Sequence, residues 1–163
     1  MRARMFWVIG VCLWSAATVA RQAAPPAALP VELRTHVQNA RFDVVSSVRG
    51  LPLGVRAELA TLFGGQTLDM AEPGAASQAS SEIADPARPI RRLVAAGCSY
   101  EDCLVYYERG GSAVRTWRVA LFHWRPNATT LEWGGTAPAG LTSIDAVRSA
   151  VLSGAIKGPA EPW

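Results

Sequence analysis

Between positions 90 and 133 the chain turns back on itself repeatedly without room for a helix, and this crowding limits the fold more than any other feature of the sequence. Residues 90–97 and 103–108 are strand-like runs on either side of Cys98-Ser99-Tyr100-Glu101-Asp102-Cys103. Arg109-Gly110-Gly111-Ser112 then turns the chain into a third run, 114–124, and Arg125-Pro126-Asn127 turns it into a fourth, 129–133. Side chains of a strand alternate between faces. Trp117, Val119, Leu121 and His123 therefore share one side of the third run, and Thr116, Arg118, Ala120, Phe122 and Trp124 share the other. Its second half is apolar on both faces, which places it centrally in a sheet with a helix over at least one side. On the fourth run Leu131 and Trp133 are expected to face together. Short turns join antiparallel neighbours, so the pattern predicts an antiparallel β-meander of about four strands.

Two amphipathic helices flank this run. Pro52 suits a first turn, Val55, Leu59, Leu62 and Phe63 repeat on one face, and Gly64-Gly65 supplies a left-handed stop, predicting a helix over 52–63. Thr142-Ser143-Ile144-Asp145 resembles a capping box closed by Asp, and Ile144, Val147, Val151 and Ala155 continue as a stripe until Gly158-Pro159. Both helices are expected on one face of the meander, giving an α+β fold. The region around Phe42, Val44 and Val48 suggests a first strand or an extended approach to the core, 31–38 a helical turn or two, and 68–70 a short strand. Residues 71–89, rich in Pro, Ala and Ser, read as a long loop.

The N-terminus carries an address. Arg2 and Arg4 precede an apolar run, and Thr18-Val19-Ala20 is a small-x-small cleavage site, so residues 1–20 read as a secretory signal peptide cut after Ala20. The uncharged stretch 5–20 is 16 residues long, short of the roughly 20 apolar residues that span a bilayer. Membrane contact is thus expected only transiently, during export to the periplasm or the medium. Residues 21–30 read as a flexible leader and 31–163 as one globular domain. Half of the residues are hydrophobic and 18% are charged, which excludes a disordered chain. A mature chain of about 143 residues buries roughly two-thirds of its unfolded surface on folding. Loss of Arg2 and Arg4 leaves 14 basic against 13 acidic residues. With Arg88 and Arg91-Arg92 the best local basic run, no nucleic-acid footprint is present.

After cleavage two cysteines remain, Cys98 and Cys103, an even count that reads as one disulfide in an exported protein. Four intervening residues are the length of a hairpin loop, which brings the two α-carbons onto facing strands. A thiol oxidoreductase instead uses Cys-x-x-Cys at a helix start, so a structural staple is the favoured reading. His36 and His123 are the only histidines, too few for a zinc site once the thiols are bonded. No nucleophile elbow, Ser-x-x-Lys pair or phosphate loop occurs. No catalytic, cofactor or metal residue is assigned, and the adjacent carboxylates Glu101 and Asp102 fall in the loop tip.

The aromatic residues offer the strongest lead. Trp and Tyr anchor binding surfaces when they are not wholly buried. The candidate surface is Tyr100, Tyr107, Trp117, His123 and Trp133, with a protein partner as the expected ligand. In general format the chain resembles the small exported proteins of bacteria, and the expected function is an exported binding or accessory module, such as an inhibitor that masks its partner. The alternative is a small exported enzyme, either a hydrolase using His123 with a nearby carboxylate or a thiol-disulfide protein using Cys98 and Cys103.

Overall fold

The computed structural model describes residues 28–78, 85, 87–111, 114–158 and 163; the expected signal peptide and most of the leader lie outside the described residues. The expected strand pattern is realised as β2 (Arg91–Cys98), β3 (Asp102–Arg109), β4 (Thr116–Arg125) and β5 (Ala128–Ala137). A three-residue strand, β1 (Asp43–Val45), precedes them and pairs with the far side of β2. The sheet is antiparallel throughout, in the order β1-β2-β3-β4-β5. The α+β class and the meander therefore stand, with one more strand than the four-segment pattern.

Among the described residues three helices accompany the sheet: α1 (Val31–Asn39), α2 (Leu53–Leu62) and α3 (Ile144–Leu152). The region 31–38, expected to hold a turn or two, is thus a helix in its own right. It contributes one fully buried residue, Val37, which explains its faint periodicity. Phe63 caps α2, and Gly64 takes φ of +77°, a left-handed backbone that costs glycine nothing. Ser143, one residue later than the expected cap, accepts a hydrogen bond from the Ala146 N–H at 3.2 Å and starts α3. That helix ends at Leu152, before the Gly158-Pro159 stop.

The helices divide between the two faces. Val55 and Leu59 of α2 pack with Leu93, Cys103, Val105, Tyr107, Ala120 and Phe122. Val37 of α1 and Ile144, Val147 and Val151 of α3 pack with Leu104, Tyr106, Val119, Leu121 and Trp133. The apolar second half of β4 required at least one cover, and it has two. Leu131 and Trp133 also part company, Leu131 joining the α2 side and Trp133 the α3 side. A bulge causes this: Leu121 pairs with Trp133 and Phe122 with Leu131, so Glu132 is an extra residue that resets the alternation.

Both edges of the sheet are partly covered, which limits unwanted edge pairing. Beyond β1, Ala71 exchanges backbone hydrogen bonds with β2, accepting from Leu93 at 3.0 Å and donating to Arg91 at 2.9 Å. Residues 68–70, expected as a short strand, form none; the isolated bridge falls on the next residue, Ala71. Glu72, next along, accepts a 2.6 Å hydrogen bond from the Val48 N–H. On the opposite edge Thr136 and Lys157 pair through two backbone hydrogen bonds of 2.6 and 2.9 Å.

The division of faces can be tested on α2. Leu59 is 0% exposed and Leu53 74% exposed. Leu59→Ala should lower unfolding free energy in urea by about 2–5 kcal/mol, and Leu53→Ala by no more than about 0.5 kcal/mol. Equal losses would contradict the orientation of the helix.

Candidate functional site

The end of the sheet at which β2 runs into β3 gathers the polar chemistry. Strand pairing sets Cys98 directly opposite Cys103, with Cα atoms 4.1 Å apart and sulfurs at disulfide distance. The loop between them is closed a second time by side chains and backbone. Ser99 N–H donates to the Asp102 carbonyl at 2.7 Å, and Asp102 N–H donates to Ser99 Oγ at 3.0 Å. The β4 end braces it from beside: Trp124 N–H donates to the Glu101 carbonyl at 2.8 Å, and Trp124 Nε1 donates to the Ser99 carbonyl at 3.2 Å. Arg125 reaches Glu101 Oε1 at 2.6 Å.

A loop so thoroughly tied leaves one side chain projecting. Tyr100 at its tip is 91% exposed. On one side of it lies a cavity of about 410 Å³ lined by His36, Asn39, Arg41, Glu101 and Asp102 among others. On the other lies a cavity of about 260 Å³ bounded by Glu101, Trp124, Arg125 and Pro126. The tyrosine ring belongs to both.

Beneath Tyr100 the chain's two histidines converge on one carboxyl. Asp102 pairs with His123 in the β3–β4 register, and His123 Nδ1 lies 3.7 Å from Asp102 Oδ1, an electrostatic contact beyond hydrogen-bond reach. His36 arrives from α1, 66 residues up the chain, and lines the same cavity. Asp102 is buried, and burial pushes its carboxyl above the usual range, while His36 and then His123 pull it back. Among the described residues no group of three or more His, Cys, Asp or Glu side chains is placed to hold a metal ion.

The expected aromatic surface is not assembled as one patch. Tyr107 is fully buried on the α2 side, against Phe63 with ring centroids 5.4 Å apart. Trp133 is 1% exposed on the α3 side. Both are core residues, and neither can meet a partner. Trp117 is half-buried against the α3-side core at the far end of β4. Only Tyr100 and His123, with its side chain about one-third exposed, stand together at the loop end. The residues that sequence reasoning missed are His36, Glu101, Asp102 and Arg125, which join the site through strand register and helix placement.

No family model, curated protein or solved structure matches this chain.

The buried carboxyl makes a prediction about pH. Because Asp102 is raised in the folded state, that state holds a proton over a range in which the unfolded chain has lost it. The associated stability is complete below the usual aspartate value and is lost as pH rises through the folded value. Asp102→Asn should therefore raise the melting temperature at pH 7, and by less at pH 4, in calorimetric melts at both. An equal shift at the two pH values would contradict the assignment of the titration to Asp102.

Proposed function

We propose that this protein is an exported binding module whose contact surface is the clamped β2–β3 loop, with Tyr100 as the anchor for a protein partner. The observation that carries the reading is the combination of a 91% exposed tyrosine and a loop fastened by a cystine and by Trp124. An aromatic ring held on a rigid support loses little conformational entropy when it inserts into a partner. Arg125 and Glu101 beside it are paired with each other and Arg41 lies across the neighbouring cavity, so the ring stands within a polar rim. The export part of the reading rests on the expected signal peptide, and a cysteine pair at disulfide distance is compatible with an oxidising compartment. Among the described residues no helix is long and apolar enough to cross a membrane.

A second reading, a small hydrolase, draws support from Asp102 and His123. A carboxylate beside an imidazole is the orienting half of a proton-relay arrangement. The serine hydroxyl of the loop, Ser99 Oγ, is already hydrogen-bonded to the Asp102 backbone on two sides. That leaves the relay without a free nucleophile in the loop, and the binding reading is preferred.

The test is a paired capture. The mature protein recovered from the periplasm should begin at Arg21 and resist thiol alkylation without reductant. Immobilised beside its Tyr100→Ala and His123→Gln variants, it should retain a stoichiometric protein partner. Tyr100→Ala should weaken that partner about thirtyfold, while His123→Gln should leave it nearly unchanged. Equal retention by wild type and Tyr100→Ala would overturn the anchor.

A further inference from the structure

At the opposite end of β3, on the face covered by α2, strand register sets polar side chains in two rows. Arg91, Arg109 and Thr116 form one row across β2, β3 and β4, and Tyr107, Arg118 and Thr136 form the next across β3, β4 and β5. Arg91 and Arg118 are 7% and 6% exposed and Tyr107 is fully buried, whereas Arg109 and Thr116 are half-buried at the rim. The Tyr107 hydroxyl lies within electrostatic range of all three guanidiniums, so the three converge on one place.

Their charge is not answered there. Among the described residues no carboxylate side chain forms an ion pair with any of the three, and Asp69 exerts only a longer-range pull on Arg91. Burial loosens the hold of Arg91 and Arg118 on their protons, and the surrounding charges do not restore it. The hydrogen bonds they make go to uncharged side chains or to the main chain. Arg118 Nη1 donates to Thr136 Oγ1 at 2.7 Å, and the main-chain oxygen of Trp163 accepts from Arg91 Nη2 at 2.8 Å and from Arg109 Nε at 3.1 Å. Four polar atoms of the same two rows are left buried without a partner: Arg91 Nε, Arg118 Nε, Tyr107 Oη and Thr116 Oγ1. Buried cations are ordinarily paired and buried donors ordinarily satisfied. Three guanidiniums with donors to spare are the makings of an oxyanion site.

We propose that this end of the sheet binds a tetrahedral oxyanion between the two rows, namely phosphate or the phosphoryl group of a small phosphomonoester. Arg109 and Thr116 at the rim admit it. The Nε–H groups of Arg91 and Arg118 donate to its oxygens, as do the hydroxyls of Tyr107 and Thr116. A phosphate dianion suits the place on two counts, since it brings the missing negative charge and has four oxygens to accept from four unpartnered donors. The site is independent of the Tyr100 surface, which lies beyond the other end of β3.

The probes are inorganic phosphate and phenyl phosphate, each titrated calorimetrically into the intact protein at an ionic strength held constant with sodium chloride. Phosphate should bind saturably, at one site per chain. Arg109→Gln, a change at the rim rather than in the core, should weaken it about tenfold or more. Arg34→Gln, in α1 on the opposite face of the sheet, should leave it unchanged. In the wild-type protein the side-chain Nε–H resonances of Arg91 and Arg118 should shift with the same half-saturation. Phenyl phosphate binding as tightly as phosphate assigns the site to a phosphoryl group carried on a larger molecule, and binding of phosphate alone assigns it to the free ion. No saturable binding of either probe, equal binding by Arg109→Gln, or Nε–H resonances that stay in place would overturn the proposal.

Discussion

Everything else in this molecule leans on β3 being buried along both faces at once. Residues 103–107 are each 0% exposed, an unbroken run that no solvent-facing strand could carry. Such a strand has to be central, so it demands a hydrogen-bonding neighbour on either side and an apolar layer above and below. β2 and β4 supply the first, and α2 opposite α1 and α3 supplies the second. The charged ends of the strand follow from the same constraint. Asp102 and Glu108, at 6% and 2% exposure, are drawn inside with the strand and must find company there. Glu108 finds Arg92 at 2.5 Å and Arg115 at 2.9 Å. Among the described residues Asp102 finds two imidazoles at longer range, and remains the less comfortable of the two.

The two ends of β3 consequently differ in character. At the Cys103 end the strand is fastened to its neighbour by the cystine, worth about 2 kcal/mol on the chain-entropy account for so short a loop. That contribution is modest beside the core. What it adds is local: the hairpin cannot splay, and the tyrosine at its tip is held on a fixed base. At the Arg109 end nothing covalent intervenes, and the sheet face left open beyond α2 is closed by Phe63 and Trp163. One end therefore presents a ring outward and the other receives one.

The four long strands were legible because strand-like runs alternate with turn residues between positions 90 and 133, and two of the helices because Leu59 or Val147 recur on a single stripe. Three things were not legible, each for a physical reason. Amphipathicity shows that a helix buries one stripe but does not show against which side of a sheet, so α2 and α3 were placed together and are in fact apart. A bulge is invisible to a period count, and Glu132 is enough to send Leu131 and Trp133 to opposite faces. Short elements such as β1 bury too little to leave a pattern, with two of its three residues exposed. As for the loop-end site, the cysteine spacing located the loop, but the meeting of His36, Asp102 and His123 depends on register and on a helix far up the chain. A signal was nonetheless available: a hairpin centred between Arg109 and Thr116 sets Asp102 opposite His123, as observed.

The centrality of β3 is most directly tested by native-state hydrogen exchange resolved by residue. The backbone amides of Leu104, Val105, Tyr106 and Tyr107 should be the slowest in the protein, exchanging only through global unfolding, with a free energy equal to that from denaturant titration. Faster exchange of these amides than of those in β5, at a free energy below the global value, would contradict a structure organised around this strand.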